Sequence, residues 1–289
     1  MSVGNRVQAA LGQSPVRIER IGTGASAQVS RIGFRDGSTA IVKLGMQVAC
    51  SLTAEARALE YLAQHSNLPV PRVLHCEDSL LILEEMRGRT GADPQAELHA
   101  AELLADVHGR ASIDRRYGLG FDVTIGPLPQ PNTWADTWPD FFRAHRLHEM
   151  ARHATAEGRL PSVVAHRIEA LSARLDDHLP SHPVPSLIHG DIWSGNVLSK
   201  SGRITAFLDP APYHAHAEIE LAFIDLFSTF GPDFHKRYET LRGTPVDERR
   251  EYMGTRRDVY NCYPLLVHVR IFGGHYVDSL SQTLFRIGF

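Results

Sequence analysis

Asp191, Asn196 and Asp209 are three oxygen-bearing side chains whose types and spacing could hold a hard cation. The stretch around them reads Leu187-Ile188-His189-Gly190-Asp191-Ile192-Trp193-Ser194-Gly195-Asn196, then a hairpin over 197–208, then Asp209-Pro210. A turn at Ser201-Gly202 would pair Lys200 with Arg203 and set Asn196 opposite Phe207. Asp209 then lies two residues further along, at the same open end, and converges on Asn196. An amide oxygen and a carboxylate beside a second carboxylate suit Mg²⁺ and not zinc.

The spacing from Asp191 to Asn196 is the Asp-x-x-x-x-Asn of protein-kinase catalytic loops. Such chemistry needs a cation on the donor's phosphates, and Ile41-Val42-Lys43 offers one at the end of a strand, as in the Val-Ala-Ile-Lys pattern. A helix beginning after Ser51, its expected N-cap, carries an apolar stripe of Leu52, Ala56, Leu59, Leu62 and Ala63. At about 100° per residue Glu55 falls inside that stripe. A carboxylate facing the core needs a cationic partner, and Lys43 is the natural one. No GxxxxGK[ST] sequence occurs, so a P-loop has no support.

These groups must be positioned by two lobes in an α+β arrangement. Residues 1–86 read as a small antiparallel sheet with one helix. The strands over 28–34 and 38–44 flank Asp36-Gly37, the pair favoured in type I′ hairpin turns, and Leu80-Leu81-Ile82-Leu83 reads as a buried strand. Beyond Glu84-Glu85-Met86-Arg87-Gly88 the pattern becomes mostly helical, with helices over 96–108, 138 to about 153 and 163–179. On the last of these Ile168, Leu171, Leu175 and Leu179 share one face, and a short strand over 186–188 leads into the Asp191 loop.

The whole composition narrows the choice. With 289 residues, 30 Lys+Arg against 33 Asp+Glu and a formal charge of −3, the chain is not built to neutralise nucleic-acid phosphates. A 43% hydrophobic content is ordinary for a globular protein, and no run approaches the ~18 apolar residues that span a bilayer. Three cysteines (Cys50, Cys76 and Cys262) without a CxxC pair fit a reducing, cytoplasmic compartment.

Taken together, these stretches resemble the fructosamine (ketosamine) kinases, relatives of the aminoglycoside phosphotransferases within the protein-kinase-like fold. The resemblance rests on Tyr117-Gly118 through Thr124-Ile125-Gly126, Pro129-Gln130-Pro131-Asn132-Thr133-Trp134, His189 to Asn196, Asp209-Pro210-Ala211, and Phe272-Gly273-Gly274-His275-Tyr276. It implies ATP-dependent phosphorylation of a sugar hydroxyl on a ketosamine, leading to deglycation. Asp191 would orient the acceptor hydroxyl and take its proton, Asn196 and Asp209 would hold Mg²⁺, and Lys43, partnered by Glu55, would meet the phosphates of ATP. Gly22 and Gly24 would cover those phosphates, and backbone at Glu85, Met86 and Arg87 would meet the adenine edge. Trp193, with His189 and Glu218, would belong to the acceptor side.

The chain departs from that family's pattern at Gly22-Thr23-Gly24-Ala25-Ser26, where relatives usually carry a Gly-Gly-Asp type of loop. It departs again at His214-Ala215-His216-Ala217-Glu218-Ile219-Glu220, where they tend to show Gly-His-Arg-Glu-x-Asp. Three rival readings follow. His214, His216 and Glu218 alternate and could form a two-histidine, one-carboxylate metal site on a strand. A kinase-fold binding module without activity is the second. The third is a kinase of an aminoglycoside, choline or another small alcohol, whose cationic acceptor would want an acidic wall built from Glu218, Glu220 and Asp225.

Overall fold

The computed structural model describes residues 2–23, 27–45 and 52–289, apart from the side chain of Thr23. The expectations placed on Gly24 and on Ser51 therefore lie outside the described residues. A first helix, α1 (Val3–Leu11), starts where the Ser2 hydroxyl accepts from the Asn5 N–H, and its Val7 is buried against the first sheet. The sheet has five antiparallel strands, β1 (Arg17–Thr23), β2 (Ala27–Gly33), β3 (Thr39–Gly45), β4 (Val73–Glu77) and β5 (Leu80–Glu84), in the order β1-β2-β3-β5-β4. Lys43 thus stands on the central strand, between Val29 of β2 and Leu81 of β5.

The β2–β3 connection differs from the two-residue type I′ turn expected at Asp36-Gly37. Phe34 still pairs with Ser38, Gly37 alone in the turn has a positive φ (+84°), and its N–H returns to the Phe34 carbonyl. The loop is therefore a type I turn closed by one left-handed glycine, with the Asp36 carboxylate accepting from the Ser38 N–H at 2.9 Å. Helix α2 (Leu52–His65) buries Leu52, Ala56 and Leu59 against Leu81 and Leu83 of β5. Ala58 and Leu62 turn toward the core of the second lobe, and Ala63, in the last turn, is exposed instead of completing the stripe.

After Glu84 the chain leaves the first sheet, and β6 (Arg89–Thr90) already pairs with a strand of the second lobe. Helix α3 (Pro94–His108) opens with Asp93 accepting from the Ala96 N–H and with proline in its first turn. The hairpin β7 (Val123–Ile125) and β8 (Leu128–Gln130) follows. The helix expected from Trp138 is found as α4 (Trp138–Phe142) and α5 (Glu149–Ala156), joined by a π-helical segment over Arg143–His148. Helix α6 (Ser162–Ala173) ends earlier than expected and passes into a 3₁₀ turn over Leu175–Asp177, although Ile168, Leu171, Leu175 and Leu179 are all buried.

Strand β9 (Pro185–Ile188) runs into the Asp191 loop, and β10 (Val197–Lys200) and β11 (Arg203–Phe207) form the hairpin beyond it. Ser201 and Gly202 both have positive φ, as a type I′ turn requires. A bulge shifts the register beyond Ser199↔Ile204, so that Leu198 pairs with Ala206 and the Leu208 N–H donates to the Asn196 carbonyl. Asn196 consequently lies opposite Leu208 and not Phe207, one residue closer to Asp209 than expected. Strand β12 (Tyr213–His216) returns to pair with β9, and α7 (Glu218–Leu226), α8 (Pro232–Arg242), α9 (Val246–Glu251), α10 (Arg257–Phe272) and α11 (His275–Arg286) complete the lobe. Among the described residues no helix is long and apolar enough to cross a membrane.

Candidate active site

The Asp191 loop leaves β9 and enters β10 through a 3₁₀ turn, and its start is held by the segment that leads into β12. The Ala211 N–H donates to the His189 carbonyl, and Gly190 takes φ +88° with its Cα hydrogen where a Cβ would run into the Ala211 carbonyl oxygen. Only glycine suits both constraints. Asn196, at the end of a 3₁₀ turn, donates through Nδ2 to the Asp191 carboxylate at 2.9 Å and to the Asp191 carbonyl at 3.0 Å. Its amide oxygen takes no part in either bond. Asp209 holds φ +52°, a left-handed conformation that aspartate tolerates better than most residues and that recurs at functional sites.

Lys43 joins the two lobes. Its Nζ lies 2.7 Å from Glu55 Oε1 and 2.5 Å from Asp209 Oδ1, and only the Asp209 side chain of the three is half-exposed. Burial works against the charge on Lys43, but the carboxylates of Glu55 and Asp209 outweigh it and push the ammonium's pKa upward. Burial raises the pKa of Glu55, with Asp209 adding to the rise and Lys43 opposing it. Asp191 is pushed up to about 8, first by burial and then by the charge of Asp209, against the hydrogen bond from Asn196. The site thus concentrates negative charge that a cation would relieve. Two hard oxygen donors, the Asn196 amide and the Asp209 carboxylate, fit Mg²⁺, which commonly takes one or two protein ligands and completes its shell with waters and phosphate oxygens.

Behind the loop stands a second layer, in which Glu220 holds the loop backbone instead of forming the acidic acceptor wall expected of it. Glu220 of α7 is buried and accepts from the Gly190 N–H at 2.6 Å and the His189 N–H at 3.3 Å. His108, at the end of α3, lies 2.9 Å from Glu220 through Nε2 and 2.7 Å from the Tyr238 hydroxyl through Nδ1. Burial opposes the charge on Glu220, but His108 and the Gly190 amide hold its pKa below the usual carboxylate value. His108 could have been found, because it falls four residues after Leu104 on the buried face of α3 and a histidine there needs a partner.

The Pro129-Gln130-Pro131-Asn132 stretch proves to be scaffolding. Gln130 donates to the Ala211 carbonyl at 3.3 Å and accepts from the Tyr263 hydroxyl, while Asn132 Oδ1 and the Pro131 carbonyl accept from the buried Arg146 at 2.7 Å. The π-helical segment carries Arg146, whose guanidinium lies over the Tyr213 ring at 3.9 Å.

A cavity of about 400 Å³ opens beside Asp191, and Trp193, 46% exposed, lines it. His189 does not reach it: fully buried, its Nδ1 accepts from the Asp191 N–H and orders the loop from behind. Glu218 also lies elsewhere, in a bidentate pair with Arg256 at 2.7 Å that faces a different cavity. The acidic wall expected from Glu218, Glu220 and Asp225 is therefore not assembled, since Asp225 pairs with His235 at 2.9 Å and Asp191 is the one acidic residue lining the cavity among the described residues. Nor does the alternate metal site form. His214 meets the Tyr61 hydroxyl and His216 the Tyr260 hydroxyl, Glu218 has already passed into α7, and no metal-sized cluster of three His, Cys, Asp or Glu side chains occurs among the described residues. On the nucleotide side Gly22 is an exposed residue of β1. Glu85 pairs with Arg31 at 2.8 Å, Met86 is half-buried and Arg87 exposed.

Residues 2–287 match the family model described as fructosamine kinase. A protein of Synechocystis described as a probable ketoamine kinase is 35% identical over 239 residues, covering 80% of this chain and 76% of the relative. The chloroplastic protein-ribulosamine 3-kinase of Oryza sativa subsp. japonica is 29% identical over 96% of this chain and 84% of its own. A crystal structure from Thermobifida fusca, described as a candidate fructosamine-3-kinase, superposes with a TM-score of 0.87 at 29% identity, covering 99% and 98% of the two chains. Aminoglycoside phosphotransferase APH(4)-Ia, in a complex with AMP-PNP and hygromycin B, shares the fold with a TM-score of 0.62 at 21% identity over 99% and 97%.

Proposed function

Because the chain belongs to the fructosamine kinase family, we propose that it transfers the γ-phosphoryl group of ATP to a sugar hydroxyl of a ketosamine, the Amadori-type adduct of a sugar with an amine. One observation carries the reading to this chain's own residues: Lys43 from the first lobe meets Asp209 from the second within one loop-hairpin unit of Asp191, which itself lines a ligand-sized cavity.

In this reading Asp191 accepts a hydrogen bond from the acceptor hydroxyl, aligns its oxygen with the γ-phosphorus and takes the proton as the new O–P bond forms and ADP departs. Lys43, kept charged and aimed by Glu55, pairs with the donor's phosphates. Asn196 and Asp209 would hold Mg²⁺, which supplies charge neutralisation on the phosphates. Asn196 also fixes the Asp191 carboxylate through its Nδ2 bond. The backbone over 85–87 would receive the adenine edge and Gly22 would approach the phosphates. Loss of the phosphorylated adduct then amounts to deglycation. A reducing, cytoplasmic setting agrees with three cysteines lacking a CxxC pair.

The test is direct: MgATP with adducts of fructose, ribulose and erythrulose, an aminoglycoside and choline, with products read by mass. Gain of one phosphoryl group on a ketosamine is expected. Exclusive transfer to the aminoglycoside or to choline would overturn the substrate class, and ATP binding without transfer to any of them would favour a binding module.

A further inference from the structure

The cavity beside Asp191 is walled on its far side by rings from α7 and the residue after it, from α10 and from α11. Phe223 of α7 and Phe227, the residue after it, stand 4.7 Å apart between ring centroids, and Phe227 lies 4.9 Å from His268 of α10. His268 lies 4.8 Å from Tyr276 and 5.6 Å from Phe272. With Trp193 on the loop side and Tyr263 of α10, seven rings line a space in which Asp191 is the one acidic lining residue among the described residues.

Two features mark this wall as built for a ligand. Phe272 is 62% exposed and Trp193 46%, apolar surface left uncovered in the lining of one concave site. The chain also holds an unusual backbone to make it: Gly273 and Gly274 take φ +64° and +58° with ψ −146° and −129°, which side-chain-bearing residues avoid. That pair turns α10 sharply into α11 and brings Tyr276 back beside His268 and Phe272. Burial lowers the pKa of the His268 ring, against the hydrogen bond its Nδ1–H donates to the Pro264 carbonyl at 2.8 Å.

We propose that this aromatic wall receives the amine-side substituent of the acceptor and makes the chain selective for ketosamines of aromatic or bulky apolar amines. The inference rests on the kinase reading above and names its substrate class more finely. The sugar must sit against Asp191 and Trp193 for its hydroxyl to react, which directs the amine side toward Phe227, His268 and Phe272. One ammonium next to the sugar gains from the ring faces, and an apolar substituent beyond it covers the exposed rings. Several ammonium groups would be desolvated there with one carboxylate to meet them. A volume of about 400 Å³ lies in the range of about 300–1,000 Å³ typical of small-molecule sites.

The experiment compares kcat/KM for adducts of one sugar with ethylamine, benzylamine and a linear triamine, in the wild type and in Phe272→Leu and Phe272→Tyr. The exposure of Phe272 makes both variants compatible with folding. The wild type should favour the benzylamine adduct over the ethylamine adduct by about tenfold or more, expressed in KM, and should use the triamine adduct least. Phe272→Leu should bring the benzyl-to-ethyl ratio toward one, whereas Phe272→Tyr should keep it. Equal kcat/KM across the three adducts, or a ratio untouched by Phe272→Leu, would overturn the proposal while leaving the kinase reading standing. Absence of transfer to every adduct would overturn that reading and the proposal with it.

Discussion

Glu220 accepts a 2.6 Å hydrogen bond from the backbone N–H of Gly190, so a carboxylate on α7 holds the loop that presents Asp191. The same carboxylate is met by the His189 amide and by His108, all inside the protein. Replacing Glu220 by alanine would strand two loop amides and the imidazole. Glu220→Ala should therefore lower unfolding free energy by about 3–5 kcal/mol in denaturant titrations. A change below about 1 kcal/mol would show that the loop is held by β9 and β12 alone.

Lys43 is aimed by Glu55 on one side and Asp209 on the other. Lys43→Ala should reduce kcat/KM for ATP by about 10²–10³-fold, the scale for removing one preorganised charge from a transferring phosphoryl group. Glu55→Gln should cost less, because Asp209 still reaches the lysine. Steady-state kinetics with varied ATP separate the two, and unchanged kinetics in Lys43→Ala would move the phosphate site elsewhere.

His216 is enclosed beside Tyr260, and burial, with Arg256 and His108 adding to it, lowers its pKa to about 3. The unfolded chain binds a proton at this residue near pH 6.5, whereas the folded chain stays neutral there until about 3. Stability contributed by the neutral ring is therefore complete above pH 6.5 and declines as pH falls through that window. Relative to His216→Gln, the wild type should lose about 1.4 kcal/mol more per pH unit below 6.5. Parallel stability curves for the two proteins would show that the ring is protonated when folded.

How much of this was legible in the sequence follows from which residues interact locally. The strand lysine, the stripe-breaking Glu55 and the Asp191-to-Asn196 spacing could be read because residue type and period specify them. The one-residue slip in the β10–β11 hairpin could not, since a bulge leaves no mark in hydrophobic alternation. Glu218 was misplaced because its partner, Arg256, arrives from a helix 38 residues later. The aromatic wall left no local signal for a similar reason: Phe223, Phe227 and His268 come together only once α7 and α10 pack side by side.

The central claim is that Asp191 receives the acceptor's proton at a site whose nucleotide half is independent of it. The measurement that tests it most directly is the turnover of Asp191→Asn with MgATP and a ketosamine, paired with nucleotide affinity by calorimetry. The account predicts a kcat reduced by about 10²–10⁴-fold with nucleotide affinity within a few-fold of wild type. Near-normal turnover in Asp191→Asn would contradict it.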